Sequence, residues 1–216
     1  MKYRGVIFDI DGTLVDSNEA HVRAWVQAFA DEGLKVEAPQ VRPLIGMGGD
    51  QLVPRLTGIE KGDPVYQRLS EGWKTHFLND ELKGLRPQPG VRALLETLQE
   101  RGLKLIVGTS AEAALVDQLL EIAGARDLLP ERTTASDVEA SKPEPDIVQA
   151  AVHKLGLPAG EVLMVGDTPF DIESARKAGV DAVALRCGGD DRFDGAVAVY
   201  DSPQDWLDQL DRSPLT

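Results

Sequence analysis

The chain predicts an α/β fold of three layers, a mainly parallel sheet between helices, with an all-helical insertion close to its start. Two patterns carry that expectation. From residue 84 onward, short runs of strand composition alternate with stretches whose apolar residues recur every three to four positions, as in a parallel sheet covered on both faces. Between 16 and 83 the pattern is helical, interrupted by Pro43, Gly46, Gly48, Gly49, Gly58 and Gly62, with no clear strand. The expected organisation is therefore a core of 1–15 and 84–216 and a helical unit of 16–83.

The first strand is expected at 6–8, where Val6, Ile7 and Phe8 form a short β-branched and aromatic run. It ends in charge. Asp9 and Asp11 lie two apart, so on extended backbone their side chains leave on the same side, and Gly12 and Thr13 then turn the chain. The carboxyl edge of a parallel sheet is where ligands bind, which makes the pair a chemical signal. Asp16 and Glu19 have the spacing of a helix-capping box, and Val22, Trp25, Val26, Phe29 and Ala30 follow on one helical face until Gly33. Further helical pieces are expected near 49–56 and 64–80, with hinges near 14–17 and 83–87.

Pro87, Pro89 and Gly90 mark the return to the core. Val91, Leu94, Leu95 and Leu98 give a helix that Gly102 ends; a strand at 105–107 and a helix carrying Leu115, Leu119 and Leu120 come next. A short edge strand is expected at 133–135 and a helix over 143–155, opened by Pro143. Strands at 162–165, 182–185 and 196–199, a short helix at 172–178 and a terminal helix after Ser202 and Pro203 complete the pattern.

Composition narrows the function. The 216 residues include 42% apolar and 27% charged side chains, ordinary for a globular protein with a buried core. With 23 basic against 36 acidic residues the formal charge is −13, which argues against nucleic acid and anionic membranes as partners. An anionic substrate then needs a local cation. The single cysteine, Cys187, has no internal disulfide partner, and no run approaches the ~18 apolar residues of a membrane span; a cytoplasmic protein is expected. Oligomeric state is not legible.

Three later stretches complement the Asp9 pair. KLIVGTS, 104–110, ends a strand with Thr109 and Ser110; ASKPEPD, 140–146, carries Lys142; VLMVGDTPFD, 162–171, ends a strand with Asp167 and adds Asp171. In this order the four stretches resemble the motifs of the haloacid dehalogenase superfamily of phosphotransferases. The AHxxAW pattern at 20–25 resembles the cap entrance of β-phosphoglucomutase-like members, and the chain as a whole resembles the phosphoglycolate phosphatase and β-phosphoglucomutase-like branch. The resemblance implies a Rossmann-like core with a helical cap and a Mg²⁺-dependent phosphatase acting on a small phosphorylated metabolite through an aspartyl-phosphate.

On that reading Asp9 is the nucleophile and Asp11 the general acid and base. Thr109, the Ser110 N–H and Lys142 hold the phosphoryl oxygens. Asp9 and Asp167 are hard oxygen ligands suited to Mg²⁺, and in the family the backbone carbonyl at the Asp11 position is a third. Asp171 orients metal waters or Lys142. Gly166 departs from relatives with two adjacent acids there, leaving fewer metal ligands. Asp11 sets dehalogenation aside, because halide leaves unprotonated. Two alternatives share the core: a sugar-phosphate mutase, and a non-catalytic protein that binds a phosphate ligand. Gly49 stands where β-phosphoglucomutases carry an arginine, which favours a phosphatase, with Arg42 and Arg55 as the nearby substitutes. His21 reads as a structural hydrogen-bonder, and 46–49 either as a turn between cap helices or as backbone N–H groups presented to an anion at a helix start.

Overall fold

A computed structural model of the chain describes residues 2–215. Strand β1 (Gly5–Phe8) is followed by a two-residue strand, β2 (Val15–Asp16), and by helices α1 (Asn18–Asp31), α2 (Ala38–Val41), α3 (Gly49–Thr57) and α4 (Pro64–His76). The chain returns through β3 (Arg86–Pro87) and continues as α5 (Val91–Glu100), β4 (Lys104–Gly108), α6 (Ala113–Ile122), β5 (Arg132–Thr133), α7 (Asp146–Leu155) and β6 (Val162–Gly166). It ends with α8 (Pro169–Lys177), β7 (Asp181–Leu185), β8 (Ala198–Tyr200) and α9 (Pro203–Asp208). Six strands form one sheet in the order β5-β4-β1-β6-β7-β8, and each neighbouring pair is parallel. The expected α/β class and its Rossmann-like, mainly parallel sheet hold.

Side-chain alternation along β1 assembles both faces of that sheet. Val6 and Phe8 join Leu105, Val107, Leu163 and Val165 under α5, α6 and Trp206 of α9, while Ile7 joins Ile106 and Met164 under α7 and α8. β1 is hydrogen-bonded on both sides, to β4 and β6, so the residues just beyond these three strands meet at one edge.

Between β2 and β3, which pair antiparallel as a ribbon that sequence reading passed over, the elements are helical. Val22, Trp25, Phe29, Leu52, Val53 and Leu69 pack into a cluster of their own, joined by Phe170 of α8. Ala20 and Ala24, on another side of α1, join the cluster of the sheet. The 16–83 segment thus has its own packing and is seated on the sheet layer by α1.

Several boundaries differ from expectation, each for a local reason. Asp16 and Glu19 form no capping box: Ser17 is the N-cap of α1, its hydroxyl donates to Asp11 Oδ1 at 2.6 Å, and Glu19 pairs with Arg42. Pro143 does not open α7. Glu144 precedes Pro145 and is disfavoured from helical backbone, so Ser141 to Glu144 closes a turn at 3.0 Å and the helix starts at Asp146. α8 starts at Pro169 rather than 172, because Thr168 and Asp171 make a capping box. β5 ends at Thr133 because Thr134 caps a 3-10 turn at 135–137. The last strand starts at Ala198, since Ala196 N–H closes a turn onto the Phe193 carbonyl at 3.1 Å.

Candidate active site

The carboxyl ends of β1, β4 and β6 deliver Asp9, Thr109 and Asp167 to one edge of the sheet. The ladder continues into the first two: Asp9 N–H donates to the Val165 carbonyl at 2.9 Å and Thr109 N–H to the Thr133 carbonyl at 3.0 Å. Their backbones are therefore set by the sheet. Lys142, carried by the turn before α7, is fully buried and donates to Asp9 Oδ1 at 2.6 Å and to Asp171 Oδ1 at 2.7 Å. The other oxygen of Asp171 accepts from the Thr168 N–H at 3.1 Å and hydroxyl at 2.7 Å. Of the two partners expected for Asp171, metal waters or Lys142, the hydrogen bond seen is the one to Lys142.

Asp167 is fully buried and fixed by two donors that sequence reading missed, the Thr13 hydroxyl at 2.9 Å and the Asn18 amide at 2.7 Å. The turn at Gly12 makes this fit possible. Gly12 has φ +76°, and a Cβ there would lie 2.1 Å from Asp167 Oδ2. Gly166 has a similar reason: a Cβ there would meet Asp171 Cγ at 2.2 Å. A second acid cannot stand beside Asp167 because Asp171 already occupies its space.

Asp11 shares the cavity with Asp9 but turns its carboxylate elsewhere, to the Ser17 hydroxyl and to His21 Nε2 at 2.7 Å. His21 stacks on Phe77 at 4.3 Å and on Trp73 at 5.6 Å. The Thr109 hydroxyl accepts from the Ala111 N–H at 3.1 Å and also faces the cavity. Ser110 donates its hydroxyl to the Gly46 carbonyl at 3.3 Å, joining the floor to the helical segment. The 46–49 turn is a docking element: a Cβ at Gly46 would meet Thr168, and one at Gly48 would meet Ser141, both inside 3 Å.

Charge in this edge is unbalanced. Burial, with the nearby Asp171 and Asp11 charges, pushes Asp9 up to about 7 despite Lys142. Burial, Asp171 and Asp9 likewise raise Asp167 well above the usual carboxylate range. Burial disfavours the Lys142 ammonium, but Asp171 and Asp9 outweigh it and raise its value. Burial acts against the Asp11 carboxylate too, yet His21 and Ser17 hold it below its ordinary value. Burial and the Asp167 charge push the Cys187 thiol up to about 12, away from the thiolate, and it donates to the Gly12 carbonyl.

Asp9, Asp167 and Asp171 each offer a carboxylate oxygen within 4.8 Å of the others. Three buried carboxylates around one ammonium leave a negative surplus that suits a divalent cation. Asp9 and Asp167 of the expected set belong to this cluster; the third expected ligand, the backbone carbonyl of Asp11, is not a side-chain group, and Asp171 takes the third place here. Asp171, however, has both oxygens engaged by Lys142 and Thr168.

A family model for haloacid dehalogenase-like hydrolases matches residues 6–185, a span that contains all four stretches. The chain belongs to this family. Among curated relatives, the phosphoglycolate phosphatase of Rhodospirillum rubrum is 32% identical over 94% of this chain and 90% of its own. The N-acetylmuramic acid 6-phosphate phosphatase of Pseudomonas aeruginosa is 28% identical over 99% and 97%. A hydrolase of Pseudomonas syringae has the same fold at a TM-score of 0.89, with 32% identity over 96% of this chain and 98% of that one. CbbY of Rhodobacter sphaeroides, solved with phosphate, shares the fold at a TM-score of 0.79 and 24% identity, over 97% and 99%. Among the described residues of this hydrolase no helix is long and apolar enough to cross a membrane.

Proposed function

We propose that this chain is a Mg²⁺-dependent phosphatase that hydrolyses a small phosphorylated metabolite through an aspartyl-phosphate on Asp9. The observation that carries the reading is the placement of Asp9. It ends the central strand, faces a cavity that Asp11 and Thr109 also line, and has its carboxylate oriented by Lys142 at 2.6 Å. The names of the relatives above agree with it.

Asp9 attacks phosphorus as the ester oxygen leaves with a proton from Asp11, giving the aspartyl-phosphate and a free alcohol. Asp11, now a carboxylate, takes a proton from a water that attacks phosphorus; the bond to Asp9 breaks, releasing phosphate with both aspartates restored. The hydrogen bonds from Ser17 and His21 favour the carboxylate form used in that second half. Lys142, Thr109 and the Ser110 N–H hold phosphoryl oxygens. Asp9 and Asp167 would hold the metal, with the Asp11 carbonyl; Asp171 is left to orient Lys142. When bound, Mg²⁺ supplies positive charge to the phosphoryl oxygens that would otherwise repel the Asp9 carboxylate. The 16–83 helical segment acts as a cap that excludes water from this edge.

The mutase alternative has less support. A Cβ at Gly49 would lie 3.2 Å from the Trp25 ring, Arg42 is tied to Glu19, and Arg55 does not line the cavity. The test is hydrolysis of p-nitrophenyl phosphate with Mg²⁺ and with excess chelator, together with mass spectrometry of acid-quenched protein for a phosphate on Asp9. Metal-independent turnover, or label on another residue, would sink the proposal.

A further inference from the structure

The cavity above Asp9 encloses about 530 Å³, room for a ligand larger than a phosphate group. Its helical wall has a composition the reaction does not explain. Trp25 and Trp73 lie with ring centroids 5.4 Å apart and planes 19° apart, and Tyr66 stands beside them in the lining. Charge around the cavity as a whole is mostly negative, with Asp50, Lys61 and Glu71 on the helical side and Glu112 and Glu139 on the sheet side. Away from the catalytic edge the described lining residues include Asp50, Glu71, Glu112 and Glu139 against Lys61, four acids to one lysine and no arginine.

Two of those acids are already engaged. Glu112 meets Lys74 at 3.1 Å, and Asp50, in the first turn of α3, accepts from the Ser141 N–H at 3.1 Å. Asp50 therefore also supplies the negative charge that the α3 N-terminus favours, so that helix end is not open to a substrate anion. Glu71 and Glu139 remain exposed to the cavity. The place where a side chain at position 49 would carry a cation is filled by Trp25, whose Cζ2 and Cη2 atoms lie 3.2 and 3.3 Å from a Cβ built there.

From this lining we infer the class of substrate, an inference that rests on the phosphatase reading. The body esterified to phosphate is uncharged and hydroxyl-bearing, a sugar or polyol, and esters that carry a second phosphate or a carboxylate are selected against. Aromatic faces take the C–H side of such a body, while carboxylates, Gln67 and Ser70 accept from its hydroxyls. A second anion would meet Glu71 and Glu139 with no arginine fork to receive it.

A matched pair of probes tests this. Sorbitol 6-phosphate and 6-phosphogluconate differ by one terminal group, hydroxymethyl against carboxylate. Binding of each to the Asp9→Asn protein in Mg²⁺ is measured by calorimetry, with phosphoglycolate as a third ligand, and kcat/KM is measured on the wild type. At least tenfold preference for sorbitol 6-phosphate in binding is expected, and Glu71→Lys should narrow it threefold or more. Equal or tighter binding of either carboxylate ester, no binding of sorbitol 6-phosphate, or a preference untouched by Glu71→Lys overturns the inference. Hydrolysis of p-nitrophenyl phosphate reports separately on the phosphatase reading; if it is absent, that reading fails while the binding order still decides this one.

Discussion

At the floor of the cavity Lys142 holds Asp9 and Asp171 with all three side chains buried, whereas on the helical side Arg68 meets Glu32 at 2.8 Å with the arginine half in water. Both are ion pairs in the same chain, and their weights differ greatly. Removing one partner of a buried pair leaves an uncompensated charge, at about 3–5 kcal/mol, while an exposed pair contributes ~0–1 kcal/mol. The floor is thus intolerant of change and suited to one chemistry. The wall can vary side chain by side chain, which suits it to selecting substrates.

The sharpest break of this contrast is Asp9→Asn. The change is nearly isosteric, so turnover of p-nitrophenyl phosphate should fall about 10⁴-fold, ~5.5 kcal/mol of barrier, while the fold persists. A fall of less than tenfold would remove Asp9 from the chemistry. The same variant carries a pH signature. Burial pushes Asp9 in metal-free protein up to about 7 from its ordinary 3.8, so the folded state holds the extra proton between those values. Stability from this group is full at low pH and declines as pH rises through that window; thermal unfolding in chelator should lose that part of its slope in Asp9→Asn.

Next in size is Lys142→Met, expected to destabilise by about 3–5 kcal/mol in urea unfolding. Adding Asp171→Asn should recover part of the loss, because it removes one of the two stranded carboxylates. A cost below ~1 kcal/mol, or no recovery, would mean that the floor is held by something other than this triad.

Glycines sharpen the comparison at lower amplitude. Gly166→Ala places a Cβ against Asp171 and should cost about 1–3 kcal/mol, whereas a Cβ at Gly84 meets nothing within 4 Å and Gly84→Ala should stay within ~0.5 kcal/mol. Equal effects in a denaturation series would erase the distinction between floor and connection.

The smallest effect belongs to the surface of α4. The Asp31 hydrogen bond, opposed by slight burial and aided by Asp80, raises His76 above its ordinary 6.5. The protonated form is the stabilised one, so this contribution is complete below 6.5 and vanishes as pH rises past the raised value. His76→Gln should therefore cost under ~1 kcal/mol at pH 5.5 and nothing at pH 9. A cost at pH 9 would show that packing, not charge, holds this histidine.

Short-range pattern was enough to determine the parallel α/β class and to put Asp9, Thr109 and Asp167 at strand ends, because strand alternation and strand ends are local properties of a chain; that Lys142 belongs with them was implied by the resemblance of the four ordered stretches. The resemblance left Asp171 to orient either metal waters or Lys142, and only the folded chain puts its carboxylate 2.7 Å from the Lys142 ammonium. What only the tertiary structure decided lies between distant positions. Thr13 and Asn18 are 154 and 149 residues from the Asp167 they hold, and no spacing rule reaches across such an interval. Ser17, which carried no signal of its own in the sequence, is drawn to Asp11 because a nearby carboxylate competes with the helix end for its hydroxyl. Gly166 and Gly49 looked like missing side chains in the sequence; in space they are positions already filled, by Asp171 and Trp25, since two groups cannot share one volume.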